Sequence, residues 1–485
     1  MTVRNAVLFT SISAYLGRLI SLISVMIIAR MLSPEELGVY AIAASLVLIV
    51  SELNSFGVGN YLIRKDELSR NDIKSALGLN VLITNSLGLL LIIFSTAIEQ
   101  FYAKSDIGLL ILILALNFFI SPHIGIAKSL LARHFLFKRI LIINIMGLVT
   151  RLCVTISLIF LGYSYFSLAI AAVIGSIVQL CFVAKLRSEE HVWVPHFKNI
   201  GNIAVFGVYV TFSNLLHKMS VTIPDLIIGK IGSIVHVALF SRAIGFLEFV
   251  QGTLVSGVRP VIMPYFSQQK RLGLNIEDPY LKACSMVGVI LLPSLAVAGL
   301  ASKPIIFLFF GNQWVESADL VSILCIWSVF RTLHVFGPSL LITHGYEKVL
   351  FVKALVIFVV TAVMVYMGYQ FGLSGVAWGF TIAGLLDFIY TSFLMQLLVG
   401  LSFYKFLKCM LPNIIIALLC GGTTYLIDMT IDFDSANAFF SIALLVPIVG
   451  LVWLATSILL RHPIIIELSN IRGLEFFKKI KAKKL

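Results

Sequence analysis

Ile27-Ile28-Ala29-Arg30-Met31-Leu32-Ser33-Pro34-Glu35-Glu36-Leu37-Gly38-Val39-Tyr40 joins two apolar blocks, and it carries both a helix start and the first copy of a repeat. Ser33 reads as an N-cap, Pro34 as the first helical residue and Glu36 as the third. Hydroxyl and carboxylate then bond the backbone N–H groups that a helix start leaves open. Ile27, Ile28, Arg30, Ser33 and Tyr40 are echoed by Ile227, Ile228, Lys230, Ser233 and Phe240 at an offset of 200, and Gly162 and Ser164 by Gly372 and Ser374 at an offset of 210. The echoes fit a six-helix repeat in which spans one and two correspond to spans seven and eight. An even number of intervening spans keeps the copies in the same membrane orientation, which predicts parallel repeats with a substrate path between them.

Outward from this stretch the apolar blocks continue. Of 485 residues, 59% are hydrophobic and 12% charged, with a mean hydropathy of +1.03; a soluble domain is about half apolar and a quarter charged. Blocks of roughly 20 residues match a helix crossing about 30 Å of hydrocarbon. No water there satisfies the backbone, so the spans must be helices. The fold class is therefore an all-α polytopic membrane protein of about fourteen transmembrane helices, in two parallel six-helix bundles plus two C-terminal helices. The spans fall at about 7–29, 37–56, 76–97, 107–129, 140–161, 165–186, 204–226, 235–262, 281–301, 318–342, 350–368, 372–398, 408–427 and 437–460. Residues 304–310 are apolar but too short to cross. The domain reading is 1–200 for the N-terminal bundle, 201–400 for the C-terminal bundle, 401–462 for spans thirteen and fourteen, and 463–485 for a basic cytoplasmic tail. Span one holds Arg18 and lacks a small-residue cleavage site, so it reads as a retained span rather than a signal peptide.

The basic residues orient the chain. With both termini in the cytoplasm, 26 of the 36 Lys and Arg lie inside, in groups such as Arg64/Lys65/Arg70/Lys74, Lys128/Arg133/Lys138/Arg139 and Lys185/Arg187/Lys198, and only Arg30, Lys104, Lys230 and Lys303 lie outside. That is the positive-inside bias. The net charge of +13 is thus a topology signal and not a nucleic-acid footprint, which needs a basic face on a recognisable binding module. There is no G-x-x-x-x-G-K-[ST] loop, so ATP is not hydrolysed by that route. Six cysteines without CxxC spacing read as packing residues, and no metal site is expected. Trp193, Trp314 and Tyr346, at span ends, read as interface anchors. The tail around Leu474, Phe476, Phe477 and Ile480 reads equally as an interfacial helix or a frayed end.

Six cations remain within the spans: Arg18, Arg151, Lys218, Arg242, Arg259 and Arg331. A charge at the membrane centre costs roughly 2.5 to 3.5 kcal/mol or more, so such groups face a polar cavity or a partner. One reading is a cationic cavity for an anionic substrate, with Arg18, Lys218, Arg242 and Arg331 as the deeper candidates and Arg151 and Arg259 at a cavity or interface. Guanidinium forks grip phosphate oxygens in pairs, and a Lys adds a mobile point charge. The other reading pairs these groups with Glu248, Asp387 or backbone carbonyls to fix packing. Asp387 and Glu248 serve ion coupling or charge pairing, Asp387 being the candidate for a proton or Na+. His217 and His334 read as neutral, hydrogen-bonded groups.

Ala29-Arg30-x-Leu32-Ser33-Pro34-Glu35-Glu36-Leu37-Gly38-Val39-Tyr40, Phe56-Gly57 with Leu62-Ile63-Arg64, Phe206-Gly207-x-Tyr209-Val210-Thr211, Asn214-Leu215, Asp225-Leu226-Ile227-Ile228-Gly229-Lys230, Phe240-Ser241-Arg242-Ala243 and Pro264-Tyr265-Phe266-Ser267 resemble the bacterial polysaccharide and O-antigen flippases. These belong to the multidrug, oligosaccharidyl-lipid and polysaccharide exporter superfamily; the likeness is strongest to its capsule, colanic-acid and lipopolysaccharide branch. The resemblance implies a V-shaped pair of six-helix bundles in the inner membrane that work by alternating access. It implies as cargo an oligosaccharide on undecaprenyl pyrophosphate, no cofactor beyond a coupling ion, a polymerase and glycosyltransferases as neighbours, and function as a monomer. In such flippases arginines on the first and eighth spans line the cavity, and Arg18 and Arg242 hold comparable places. A peptidoglycan-precursor flippase fits the charge as well. An ion-coupled multidrug exporter fits it less well, and a non-transporting scaffold of a glycan-assembly complex leaves the six cations without a purpose. If Asp387 carries the coupling ion, Asp387→Asn makes transport in vesicles insensitive to an imposed proton or Na+ gradient; a variant with the wild-type gradient response removes Asp387 from coupling.

Overall fold

Once the hydrocarbon forbids unpaired backbone groups, helices are the only local structure left to an apolar chain of this kind. In the computed structural model, which describes residues 3–55, 58–64, 68–197, 208–255, 258–431 and 438–470, every regular element is a helix. The first segment gives α1 (Val3–Met31), α2 (Pro34–Ser51), α3 (Val58–Arg64), α4 (Arg70–Tyr102), α5 (Ile107–Arg133), α6 (Phe137–Phe160) and α7 (Phe166–Leu186). The second gives α8 (Val208–Ile231), α9 (Ile234–Val255), α10 (Arg259–Arg271), α11 (Glu277–Leu300), α12 (Ser302–Phe310), α13 (Ser317–Leu333), α14 (Gly337–His344), α15 (Glu347–Gly368), α16 (Gly372–Leu394), α17 (Phe403–Ile431), α18 (Ala438–Leu459) and α19 (Pro463–Asn470).

Eleven stretches of the described residues are long and apolar enough to cross a membrane, one of them a 53-residue run, Glu347–Val399, that holds both α15 and α16. The 29-residue α1 and the 24-residue α8 stand outside the eleven; α8 breaks its apolar pattern with Lys218, Asp225 and Lys230. Two expected spans are interrupted. In the span expected at 235–262, α9 is described as far as Val255, Val258 stands in a turn, and α10 starts at Arg259 with Pro260 in its first turn. The span expected at 318–342 stops at Leu333 and resumes as α14 with Pro338 in its first turn. At these positions the missing proline N–H costs nothing, because a first-turn N–H has no helical partner. The apolar 302–310 segment is the nine-residue α12, with Pro304, Ile306 and Phe310 buried; it packs on α13 and α18. The residues of the tail beyond Asn470 lie outside the described residues, but α19 before them buries Ile464 and Ile465 against Val289, Ile416 and Cys420.

The chain divides into two compact units, Met1–Ser241 with Glu347–Tyr366, and Arg242–Tyr346 with Met367–Leu485. In the first, the helix start read from sequence is present: Glu36 N–H donates to Ser33 Oγ at 3.3 Å and Ser33 N–H to Glu36 Oε2 at 2.7 Å. The second copy repeats half of it, His236 N–H donating to Ser233 Oγ at 3.1 Å. The other echo also has a structural basis, since Gly162 and Gly372 both take positive φ, 85° and 75°. Helix α2 packs on α5 and on α8. Helix α2 lies close to both α8 and the start of α9: a Cβ on Gly229 of α8 would lie 2.8 Å from Ile42 Cδ1, and one on Gly38 would lie 2.2 Å from the carbonyl oxygen of Ile234, the first residue of α9. Between α2 and α8, Ser45 Oγ donates to the buried Asp225 carboxylate at 2.8 Å. The rest of the unit is the packing of α4 on α5, α5 on α7, α6 on α7 and α1 on α6.

In the second unit α11 is central, packing on α13 and α17, while α13 packs on α16 and α17 on α18. Asn413 Nδ2 donates to the Ser285 carbonyl at 3.1 Å, and His462 Nε2 meets Ser285 Oγ at 3.0 Å, tying α11, α17 and the chain before α19 at one point. Trp314 is fully buried and so is not the membrane-facing anchor its span-end position suggested; Arg242 lies over its ring. Replacing Gly38 with Val forces α2 away from the start of α9 and costs about 1 to 3 kcal/mol or more by overpacking. A clear fall in the thermal unfolding temperature of the purified protein is expected. Gly422→Ala, where nothing lies within 4 Å of the new Cβ, should leave it unchanged.

Candidate functional site

The cations of the spans sort themselves by what they touch. In the first unit Arg18, on α1, and Lys218, on α8, are half-buried, and neither has a hydrogen-bond or ion-pair partner among the described residues. Lys218 stands 200 residues after Arg18, the offset of the repeat. The two cations thus share the spacing of the sequence echoes. Arg151, on α6, is exposed and donates through Nη2 to Tyr40 Oη at 3.4 Å. Lys128, counted with the inside loops, lies within α5, half-buried, and donates to Gln179 Oε1 on α7 at 3.2 Å.

In the second unit the cations are engaged. Arg331, on α13, lies 3.4 Å from Glu248 Oε1 on α9 and 5.1 Å over the Trp327 ring. Its guanidinium thus has both an acidic and an aromatic neighbour, the packing arrangement that the pairing reading describes. Arg242, near the start of α9, is stacked between Trp314 at 4.5 Å and Phe310 at 5.0 Å, with its Nε buried and without a hydrogen-bond partner among the described residues. Two ring faces give a guanidinium a cation–π contact worth about 2 kcal/mol or more when desolvated, and hold it to α12 and the turn after it. The Arg259 side chain lies outside the described residues. Asp387, on α16, is half-buried and has Thr391 Oγ1 at 3.5 Å.

His334 is buried, stacked on Phe406 at 4.3 Å and Phe388 at 5.4 Å. Ser392 Oγ donates to the Phe388 carbonyl at 2.9 Å, so it accepts from His334 Nε2 at 2.9 Å, and Tyr280 Oη then donates to Nδ1 at 2.8 Å. That set of bonds belongs to the neutral ring. No group of three or more His, Cys, Asp or Glu among the described residues can hold a metal, and the six cysteines are free thiols. Sequence reasoning missed the burial of Asp225, which it set near a span end; the adjacent Pro224 inside α8 was the available sign of an unusual backbone. It also missed the loop 187–197, whose charges it used only for topology although His191, Trp193 and His196 crowd together there.

Helices of membrane-crossing length in two units, with cations borne within them, define a multi-pass helical membrane protein. The fold is that of a solved lipid II flippase, MurJ in an inward closed conformation, with a TM-score of 0.74 over 94% of this chain and 99% of that one at 19% identity. A multidrug resistance MATE family transporter in an inward-facing conformation matches with a TM-score of 0.60 over 82% of this chain and 99% of its own at 16% identity. The family model described as Polysaccharide biosynthesis protein matches residues 27–319, and the chain belongs to that family, the polysaccharide and O-antigen branch of the exporter superfamily. Among its relatives, the teichuronic acid biosynthesis protein TuaB of Bacillus subtilis (strain 168) is 20% identical over 90% of this chain and 91% of its own. The lipopolysaccharide biosynthesis protein WzxC of Escherichia coli (strain K12) is 20% identical over 96% and 94%. These are families of transporters, not of enzymes.

If Arg331 and Glu248 form a packing pair, removing either alone strands a charge. Arg331→Ala and Glu248→Ala should each lower thermal stability by more than half of what the double variant loses, with a coupling of roughly 1 kcal/mol or more in a double-mutant cycle. Strictly additive losses would dissolve the pair.

Proposed function

We propose that this protein moves oligosaccharide repeat units linked to undecaprenyl pyrophosphate from the cytoplasmic to the periplasmic leaflet of the bacterial inner membrane, by alternating access. The observation that carries the reading is the pair Arg18 and Lys218: repeat-related, half-buried and unpartnered among the described residues. Membership of a polysaccharide biosynthesis family and the names of the relatives support the cargo class. Fourteen spans follow if α1 and α8 cross as well as the eleven and if α15 and α16 cross separately. The working halves are then 1–200 and 201–400, with 401–462 as two added spans, 463–485 as a basic tail and both termini cytoplasmic.

The mechanism follows from electrostatics. A cation within a span costs several kcal/mol until an anion reaches it, so Arg18 and Lys218 favour a pyrophosphate over a neutral sugar. Arg18 supplies a planar fork for two phosphate oxygens and Lys218 a flexible point charge, while the prenyl chain stays in lipid. Arg242 holds its aromatic neighbours and Arg331 pairs with Glu248 within the second unit. Arg151 and Arg259 serve at the entrance. When the site opens to the far side, water competes for the anion and lowers its affinity. No bound cofactor takes part. A proton or Na+ gradient, through Asp387, or the consumption of product by a polymerase gives the direction. Glycosyltransferases supply the cargo to a monomeric transporter.

Arg18→Ala and Lys218→Ala should each cut translocation of lipid-linked oligosaccharide at least tenfold, in a strain or vesicle assay, while protein level and insertion stay normal. Unchanged transport in both would refute the cavity. Mass analysis of the undecaprenyl-linked intermediates that accumulate when the gene is deleted identifies the repeat unit, and no accumulation would refute the cargo.

A further inference from the structure

The loop that follows α7 is a built structure rather than a slack connection. Arg139 Nη1 donates to the carbonyls of Leu186 and Arg187 at 3.1 and 3.2 Å, His134 pairs with Glu190 at 3.0 Å, and His196 N–H donates to the Lys74 carbonyl at 3.0 Å. Val192 is buried in the cluster of Leu62, Ile73, Leu77 and Ile126. A Cβ on Gly78 would lie 2.1 Å from the His196 carbonyl oxygen, so the loop rests directly on α4.

Between this loop, the start of α4 and the end of α7 lies a cavity of about 720 Å³, within the range of roughly 300 to 1,000 Å³ usual for ligand sites. Its wall carries Arg70, Lys74, Lys185 and Arg187 against a single acid, Glu189. Arg187 stacks over Trp193 at 5.4 Å, and the His191 and Trp193 rings meet edge to face at 4.8 Å. His191 and Ser188, both lining the cavity, are 5% and 7% exposed. Yet His191 Nδ1 and Nε2 and Ser188 Oγ have no hydrogen-bond partner among the described residues. Burial, then His123 and Arg187, push the His191 pKa down to about 4. At neutral pH the ring therefore offers one donor and one acceptor. Buried polar atoms without partners cost about 1 to 3 kcal/mol each, and four cations beside them make the missing partner an anion with oxygen acceptors.

We infer that this cavity binds the phosphate of an anionic phospholipid headgroup. A phosphate accepts from His191 and Ser188 and offsets part of the charge of the four cations, and a headgroup hydroxyl donates to the second imidazole nitrogen. The site lies where one membrane-length helix, α4, starts and another, α7, ends; Val194 on its wall is 71% exposed, and Phe197, three residues further along the loop, is 56% exposed. These exposed apolar residues, which acyl chains would cover, favour a lipid over free phosphate. The inference is independent of the cargo proposed above.

The test uses the full-length protein in a nonionic detergent, with bound lipid counted by native mass spectrometry. The probes are phosphatidylglycerol, phosphatidylcholine of the same acyl chains, and inorganic phosphate. Arg70→Gln/Lys185→Gln removes two exposed charges of the cavity, and Lys138→Gln/Lys408→Gln removes two exposed charges elsewhere. Phosphatidylglycerol should bind in preference to phosphatidylcholine, about tenfold or more weaker in the cavity variant and unchanged in the control, with millimolar inorganic phosphate failing to displace it. Equal loss in both variants, or no preference between the lipids, would overturn the site. Binding of inorganic phosphate without phosphatidylglycerol would overturn the lipid assignment. Unchanged thermal unfolding of the cavity variant shows that the loop is intact when binding is lost.

Discussion

The α2–α8 seam is the contact on which the first unit depends. A carboxylate cannot stay buried inside a membrane protein without a donor, and Asp225 has Ser45 at 2.8 Å. That bond needs α2 and α8 in close packing, which Gly229 permits because it has no Cβ to meet the Ile42 side chain, while Gly38 lets α2 approach the start of α9. The capping box at Ser33 and Glu36 sets where α2 begins and so the register in which Ser45 meets Asp225. The second Glu36 carboxylate oxygen accepts from Ser164, which draws the α6–α7 turn to the same helix end.

Charge in the rest of the molecule obeys the same accounting. Where a cation is engaged, as Arg331 is by Glu248 and Trp327 or Arg242 by two aromatic rings, it holds helices together. Arg18 and Lys218 have no such side-chain partner among the described residues, and a charge held within a span without one is costly. The same contrast marks the loop after α7, where backbone groups are bonded and the His191 ring has no hydrogen-bond partner among the described residues. Function concentrates at such incompletely satisfied groups because stability alone would have supplied them with partners.

Much of the fold was legible along the chain. Apolar blocks of membrane length mark helices, the Ser33-Pro34-Glu35-Glu36 box marks a boundary, and the echoes at offsets of 200 and 210 mark positions that share a cap or a positive φ. Less of the site was legible. Arg331 and Arg18 look alike in sequence, each a basic residue within an apolar block, and among the described residues only Arg331 has an ion pair. Trp314 has the composition and position of an interface residue, yet it is fully buried under Arg242.

Composition and hydropathy period by themselves determined that this chain is a helical membrane protein, because the bilayer tests each stretch of about 20 residues locally. Capping chemistry is local too, since its partners lie three residues apart. Pairing and burial are not local. Asp225 meets Ser45 across 180 residues, and the basic cavity joins Arg70 to Arg187 from separate helices. Only the tertiary structure decided which charges are neutralised, since that depends on distances between helices that no pattern along one helix encodes.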